Sequence, residues 1–405
     1  MVDYGKFVIE PNVFHQFNNE SDITMKSKNM TLSAAIGMML LGTHTLANAA
    51  DDRVSVHGYG DTGFIRAKEN NFTNKFSGND WDYNYLSVNF TAQIDNQTKI
   101  VAQIRQGSEI TGDMGAYVNY NMTDDLTVRA GQIKTPVGIF NEIRDIKFLQ
   151  LSAVTPLMYQ DAVGFLPDSF KGIEAIYHWD MGSHRLTFDA YAGEPKGANN
   201  YVNRADVGGG FNYYQLVQNI VGGRLTYKTP VGLKFSLSSF QNRLLSTVAN
   251  VVPSPVVIAP APAIQFPIQE GTRTFSGASI DYRKYDIDIK MEYATAKDDF
   301  QKSPGENNKG VAYYGQIGYT IFQKFTPFIR YDSVLYNDKQ KTNPYMYQKT
   351  KVAGLNYRLN NNVSMRLENH WNEGYAITAS AQGSGFTTTP SLEWKMFAMG
   401  LNFIF

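Results

Sequence analysis

Apolar residues recur at every second position through most of this chain. The end shows it plainly: Phe397, Met399, Leu401, Phe403 and Phe405 share one parity, the period of a strand with one apolar face. Residues 361–371 place Val363, Met365 and Leu367 on one face and Ser364, Arg366, Glu368 and His370 on the other. Residues 286–296 set Ile287, Ile289, Met291 and Tyr293 against Asp288, Lys290 and Glu292. The same reading predicts strands over 53–65, 82–95, 98–106, 113–122, 126–134, 171–180, 183–193, 219–229, 232–241, 272–284, 286–296, 311–321, 323–335, 349–359, 361–371 and 392–405.

The connections alternate in length. Tight turns are expected at Asn96-Gln97, Thr123-Asp124-Asp125, Met181-Gly182, Pro230-Val231, Lys284-Tyr285, Phe322-Gln323 and Asn360-Asn361. Most carry Asn, Asp, Gly or Pro, which suit turns, but Lys284-Tyr285 and Phe322-Gln323 do not. The other connections are long (66–81, 135–170, 194–218, 242–271, 297–310, 336–348 and 372–391), except for 107–112. Short turns on one side, long loops on the other and an even count predict an all-β fold, a transmembrane antiparallel β-barrel of about sixteen strands with both ends on the periplasmic side. A charge facing mid-membrane lipid costs about 2–4 kcal/mol. Charges such as Lys290 and Arg366 are therefore expected inside, and a barrel of this size encloses water.

Residues 25–49 read as a secretory leader: Lys26 and Lys28, a mostly apolar stretch from Thr31 to Leu46, then Ala47-Asn48-Ala49. The barrel domain is expected over 50–405, and residues 1–24 are set aside as an extension outside the fold. Mean hydropathy is −0.32, which argues against a helical membrane protein but not against a barrel, where only alternate residues meet lipid. The 25 Tyr and 25 Phe suit interface girdles, for which Tyr59, Trp81, Tyr83, Trp179, Tyr227, Trp371 and Trp394 are candidates. Cysteine is absent, so there is no disulfide framework, thiol nucleophile or thiolate metal site. Without residues 1–49 the chain stays within one charge of neutral, which gives no basis for nucleic-acid binding.

The connection after the fifth strand is too apolar for a solvated loop. Ile139, Phe140, Ile143, Phe148, Leu149, Leu151, Phe165 and Leu166 all call for burial. Just before and within it stands GQIKTPVGIFNE, residues 131–142. This resembles the Gly-Gln-x-Lys-x-Pro-x-Gly segment of the phosphate-selective porin O and P family, and VSVHGYGDTGFI (54–65) is similar to the first strand of such porins. The resemblance implies a trimeric outer-membrane porin whose third loop folds inward and narrows a channel for passive diffusion of small hydrophilic solutes. The final strand, ending on Phe405, is similar to the terminal strands of bacterial outer-membrane barrels, which implies recognition by the barrel assembly machinery.

Anion selectivity follows only if basic pore residues are present. Lys134 matches the motif lysine, Arg144 and Lys147 follow in the loop, and Arg129 precedes it on the inner face. Arg105, Arg330, Arg358 and Arg366 complete the expected pore and constriction set, with Arg224, Lys228 and Lys234 on the same faces. Such charge concentrates anions, and guanidinium suits phosphate or carboxylate. Against it stand Glu142, Asp145, Asp161 and Asp168 in the loop, and Glu174, Asp189, Asp281, Asp288, Glu292, Asp332 and Glu368 on inner faces. The expectation is a mild anion preference, with phosphate or small carboxylates among the anionic and neutral solutes, a homotrimer in outer-membrane lipid, and no cofactor or metal.

The competing readings are a plugged barrel acting as an adhesin, or an outer-membrane enzyme. His57, His178, His184 and His370 are scattered, and no GxSxG or HExxH occurs. GYGDTG, residues 58–63, lies in an alternating strand, not before a helix, so its glycines are read as strand glycines. The Pro- and Ala-rich run 252–268 is expected to be extended and to lie over the mouth or against a neighbouring subunit.

Overall fold

The structure, a computed structural model, describes residues 53–68, 79–107, 113–160, 165–196, 199–204, 211–250, 269–300, 307–376 and 391–405. The expected leader, Asp161 and the run 252–268 lie outside these residues, as do the side chains of Trp81 and Tyr83.

The strands are β1 (Val54–Lys68), β2 (Asn79–Gln93), β3 (Thr98–Gly107), β4 (Asp113–Asn121), β5 (Leu126–Lys134), β6 (Ser169–Met181), β7 (His184–Lys196), β8 (Asn199–Arg204) and β9 (Phe211–Lys228). They continue as β10 (Leu233–Asn250), β11 (Gln269–Lys284), β12 (Ile287–Asp299), β13 (Asn308–Tyr319), β14 (Phe325–Leu335), β15 (Tyr347–Arg358), β16 (Val363–Gly374) and β17 (Glu393–Ile404). Apart from β7 and β8, each strand pairs with the next, and β1 pairs with both β2 and β17, which closes the sheet. β7 pairs with the lower half of β9 and short β8 with its upper half, so the two share one stave of a sixteen-stave barrel.

The expected strands are all present, but several run further into the long-loop side. β9 and β10 extend to Phe211 and Asn250, beyond the expected 219 and 241. Their upper ends, FNYYQLVQ and NRLLSTVAN, break the strict alternation on which the reading relied, and the ladder between the two strands holds them together instead.

Alternation sorts the faces as expected. On β17, Trp394, Met396, Ala398 and Asn402 are buried inside, while Leu401 and Phe405 are exposed outside. Exposed apolar side chains such as Ile173, Val221, Leu237, Ile329 and Met291 cover the outer wall, which only lipid can solvate at this extent. The chain is thus an outer-membrane β-barrel. Trp179 and Trp371 are exposed as a girdle requires, but Tyr59 and Trp394 are not. Tyr59 turns inward, accepts a hydrogen bond from Gln103 and meets Tyr85 edge-on. Trp394 turns inward and donates to the Gly374 carbonyl.

Gly58 and Gly60 have a packing role. The rings of Phe405 and Phe403 lie over them across the β1–β17 seam, where any Cβ would collide, so the closing seam is covered by aromatic rings on bare backbone. Backbone N–H groups of Gly58 and Phe405 donate to each other's carbonyls, both at 2.9 Å.

The two turns with unsuitable residues form anyway. Tyr285 and Asp286 have φ of 53° and 63°, and Phe322 and Gln323 have φ of 52° and 58°. The first turn is centred on Tyr285-Asp286, one residue later than expected, because Lys284 pairs with Ile287. Left-handed backbone costs a non-glycine residue about 1–2 kcal/mol, so these turns are imposed by the flanking ladders. Gln323→Gly is expected to stabilise the barrel by about 0.5–1 kcal/mol after the entropic cost of glycine. Urea unfolding from lipid vesicles reads this, and an unchanged or lowered midpoint would contradict the strain.

Candidate functional site

The segment between β5 and β6 folds into the barrel. Its two ends are tied at the wall. The Thr135 N–H donates to the Asp168 carbonyl at 3.1 Å, and the buried Asn141 amide donates to the carbonyls of Thr135 at 2.7 Å and Asp168 at 3.1 Å. Inside, the loop has three single 3-10 turns, at Asn141–Ile143, Lys147–Leu149 and Leu157–Tyr159. Turns this short leave most peptide groups without local partners, so the wall must supply them.

Four buried wall residues do so. Glu292 on β12 accepts from the Ile139 N–H at 2.8 Å, the Tyr159 hydroxyl at 2.6 Å and the Tyr314 hydroxyl at 2.7 Å. Glu368 on β16 accepts from the Ala153 N–H and, at 3.4 Å, from the Val154 N–H. Arg366 donates through Nε and Nη2 to the Gln150 carbonyl at 3.0 and 2.6 Å. Arg330 donates to the Val154 carbonyl at 3.0 Å and pairs with Asp332 at 2.7 Å. Burial, and then the Glu292 charge, push the Tyr159 hydroxyl well above its usual pKa, so it remains a donor.

The apolar half of the loop packs as its composition demands. Val137, Phe140, Leu157, Met158, Tyr159 and Phe165 join Phe170, Phe240, Phe275, Tyr314 and Val334 of the wall in one cluster inside the barrel. Ile139, Ile143 and Leu166 pack against its edge, whereas Leu149 is exposed. The Gly131…Gly138 spacing now has a physical reason. Gly131 has φ of 137° and Gly138 φ of 60°, and a Cβ on Gly138 would strike Tyr159 and Glu292. Between them, Lys134 is the cation that binds the loop's acids.

That binding makes the charged edge of the loop. Asp145 bridges Lys134 and Arg105 of β3, and Asp168 bridges Lys134 at 2.6 Å and Arg144 at 2.9 Å. Burial alone would raise the Asp145 carboxyl, but Lys134, Arg105 and Arg144 outweigh it and hold it at about 2. Further along, Glu142 pairs with Arg224 of β9 at 2.5 Å, and Arg224 also holds Asp189 at 2.8 Å. On the wall between these contacts, Arg129 takes Asn119 at 3.0 Å and Glu174 at 3.2 Å, and lies over the Tyr117 ring.

The eight expected pore residues therefore divide. Arg105, Lys134 and Arg144 come together on two carboxylates, whereas Arg129 stays on wall partners, Asn119 and Glu174. Lys147 is buried; desolvation pulls its ammonium down to about 8 against the opposing pull of Asp61 and Asp145. Arg330 and Arg366 lie beneath the loop on the opposite wall and hold its carbonyls. Arg358 is exposed at the turn end of β15, beside Ser364 of β16. Along the loop's charged edge, Glu142 (38% exposed), Arg129 (27%), Lys134 (21%) and Asp168 (20%) keep the most solvent contact, against 1% for Arg330. The sequence reading placed Glu292 and Glu368 inside but among charges pairing across the lumen. Their role as acceptors for loop N–H groups, and that of Asn141 as the tie at its base, left no signal in the alternation.

Glu292→Ala would leave the buried Tyr159 and Tyr314 hydroxyls without their acceptor, while the Ile139 N–H keeps only the Tyr159 hydroxyl at 3.0 Å, a cost of about 2 kcal/mol or more. The expected result is a folded barrel with a loosened loop, read as higher and noisier single-channel conductance and as new protease cleavage within 135–168. Because Asp145 is held below its unfolded value, its stabilising contribution is present above pH about 4 and lost only as pH falls toward about 2. Amide exchange in the loop's charged edge should accordingly stay slow from pH 7 to about pH 4 in wild type. In Lys134→Ala it should rise within that range.

No family model matches the sequence, and no curated protein matches it. Solved structures do. Outer-membrane-expressed OmpT of Vibrio cholerae superposes with a TM-score of 0.58 at 12% identity, covering 88% of this chain and 99% of its own. An anion-selective porin from Comamonas acidovorans gives 0.54 at 11% identity, covering 87% and 99%. OmpF of Salmonella typhi, in complex with daunomycin, gives 0.51 at 11%, covering 87% and 97%. What this chain shares with them is a fold, the closed outer-membrane barrel.

Proposed function

We propose that this barrel is a porin, a water-filled channel for passive diffusion of small hydrophilic solutes, with a mild preference for anions. The observation that carries the preference is the cluster at the loop edge, where three cations (Arg105, Lys134, Arg144) share two carboxylates (Asp145, Asp168). Low-dielectric walls concentrate the field of that surplus charge. The solute path runs between the wall of β3–β9 and residues 141–147, where Arg129 and Glu142 keep contact with solvent. Glu142 and Asp189, which share the one Arg224, offset that surplus and keep the preference mild. Small carboxylates and phosphate fit guanidinium and ammonium donors of this kind, and neutral solutes pass as well. Assembly as a homotrimer is part of the proposal, supported by a trimeric form of the Vibrio protein with the same fold. So are a cleaved leader at 25–49, a mature chain from Ala50, and delivery to the assembly machinery through the Phe405 strand.

One observation favours a second reading. The loop touches β3 through Asp145 and β16 through Gln150, as the plug of a closed adhesin-like barrel would.

The reversal potential in a planar bilayer under a salt gradient tests both. Stepwise conductance with anion preference is expected. Arg144→Glu should weaken or reverse it, and Asp168→Asn should strengthen it. Cation preference in wild type would overturn the charge assignment, and correctly folded protein without conductance would favour the plug.

A further inference from the structure

The outer wall carries a group of exposed cations at the upper edge of its apolar band. Rows of directly paired residues cross β15, β16, β17 and β1. One row, Leu355–Leu367–Met399–Phe64, is wholly apolar. The next toward the loops, Ala353–Asn369–Phe397–Arg66, ends in an exposed arginine. The one above sets Lys351 and Lys395 on either side of Trp371, all exposed. Their inward neighbours Val352, His370, Met396 and Ile65 are buried, so these four side chains point away from the barrel. Arg66 lies diagonal to Lys395, about 7–8 Å away by strand geometry.

Their height is informative. Lys351 and Trp371 stand eight residues, and Lys395 ten, from the turn-side ends at Leu359, Val363 and Phe405. At ~3.3 Å per residue and a strand tilt near 40°, that is about 20–25 Å, the height of the apolar band. Trp371 and neighbouring Tyr331, paired with Lys351, mark the same level, because such rings settle at the polar boundary. Among the described residues of this face, the acids one row higher are Glu373, held by Lys349 at 3.1 Å and by the Tyr347 hydroxyl, and the exposed Glu393. Arg66, Lys349, Lys351 and Lys395 outnumber them.

We infer that Arg66, Lys351, Trp371 and Lys395 form a binding site for a phosphorylated lipid of the outer leaflet. The cations hold headgroup phosphates while Phe397, Met399 and Phe64 below them take the acyl chains. Charge complementarity selects the occupant: an uncharged lipid gains nothing from this surplus of positive charge at the boundary, whereas headgroup phosphates match it.

The site is separate from the lumen, so its test does not depend on the channel proposal. Protein folded in uncharged detergent is titrated with bis-phosphorylated lipid A, and bound lipid is counted by native mass spectrometry. The same is done with dephosphorylated lipid A and with the triple variant Arg66→Gln, Lys351→Gln, Lys395→Gln. Each cation removed is expected to weaken phosphorylated lipid A about fivefold, and the triple variant on the order of a hundredfold. Its heat-modifiable mobility and single-channel conductance should stay at wild-type values, which shows that it is folded. Equal binding of both lipid forms, or of both proteins, would overturn the site. So would displacement by millimolar inorganic phosphate, which would mean that phosphate alone is read. Loss of oligomer in the triple variant would also overturn it, as the mark of a subunit contact.

Discussion

A peptide backbone led through the inside of a barrel must find a partner for every N–H and carbonyl it cannot pair with itself, and this constraint shapes the molecule. The third loop has only short turns of its own, so the wall presents two buried carboxylates to its N–H groups and two buried guanidiniums to its carbonyls. Each is matched in sign to the group it meets. The apolar cluster around Phe140 and Phe275 supplies the adhesion, and the four polar anchors fix where along the wall the loop adheres.

That division of labour explains why the charges inside the barrel differ in kind. Arg330 and Arg366 are as cationic as Arg129 and Lys134, but they are almost wholly screened from solvent and are occupied with backbone oxygens. Selectivity can come only from charges that water and solute reach, and these lie on the other side of the loop. A count of basic residues on inner faces merges the two populations.

The fold was largely legible because barrel wall and sequence share one period. Strand number and face assignment follow from alternation, and the misplaced apolarity of 139–166 calls for burial; the inward course of the loop is what the porin resemblance adds. What alternation cannot carry is partner identity. It places Glu292 inside without naming Ile139 and Tyr159, and places Lys147 in the loop without revealing that it is buried. Tyr59 and Trp394 were misjudged as girdle aromatics because both sit near strand ends, and parity puts them inside. Turns built on Tyr285 and Phe322 show the reverse case, in which the ladders on both sides override local preference.

The β1–β17 seam bears on the order of events in the chain's life. The strand that begins the barrel is completed only by β17, whose side of the seam seats the Phe403 and Phe405 rings on Gly60 and Gly58. The contact with the longest loop closure in the molecule is therefore the one that turns an open sheet into a sealed tube. Until β17 pairs with β1, the chain has two raw edges and no inside, so the third loop has no lumen to enter. Pore and wall must mature together, late, and as one event.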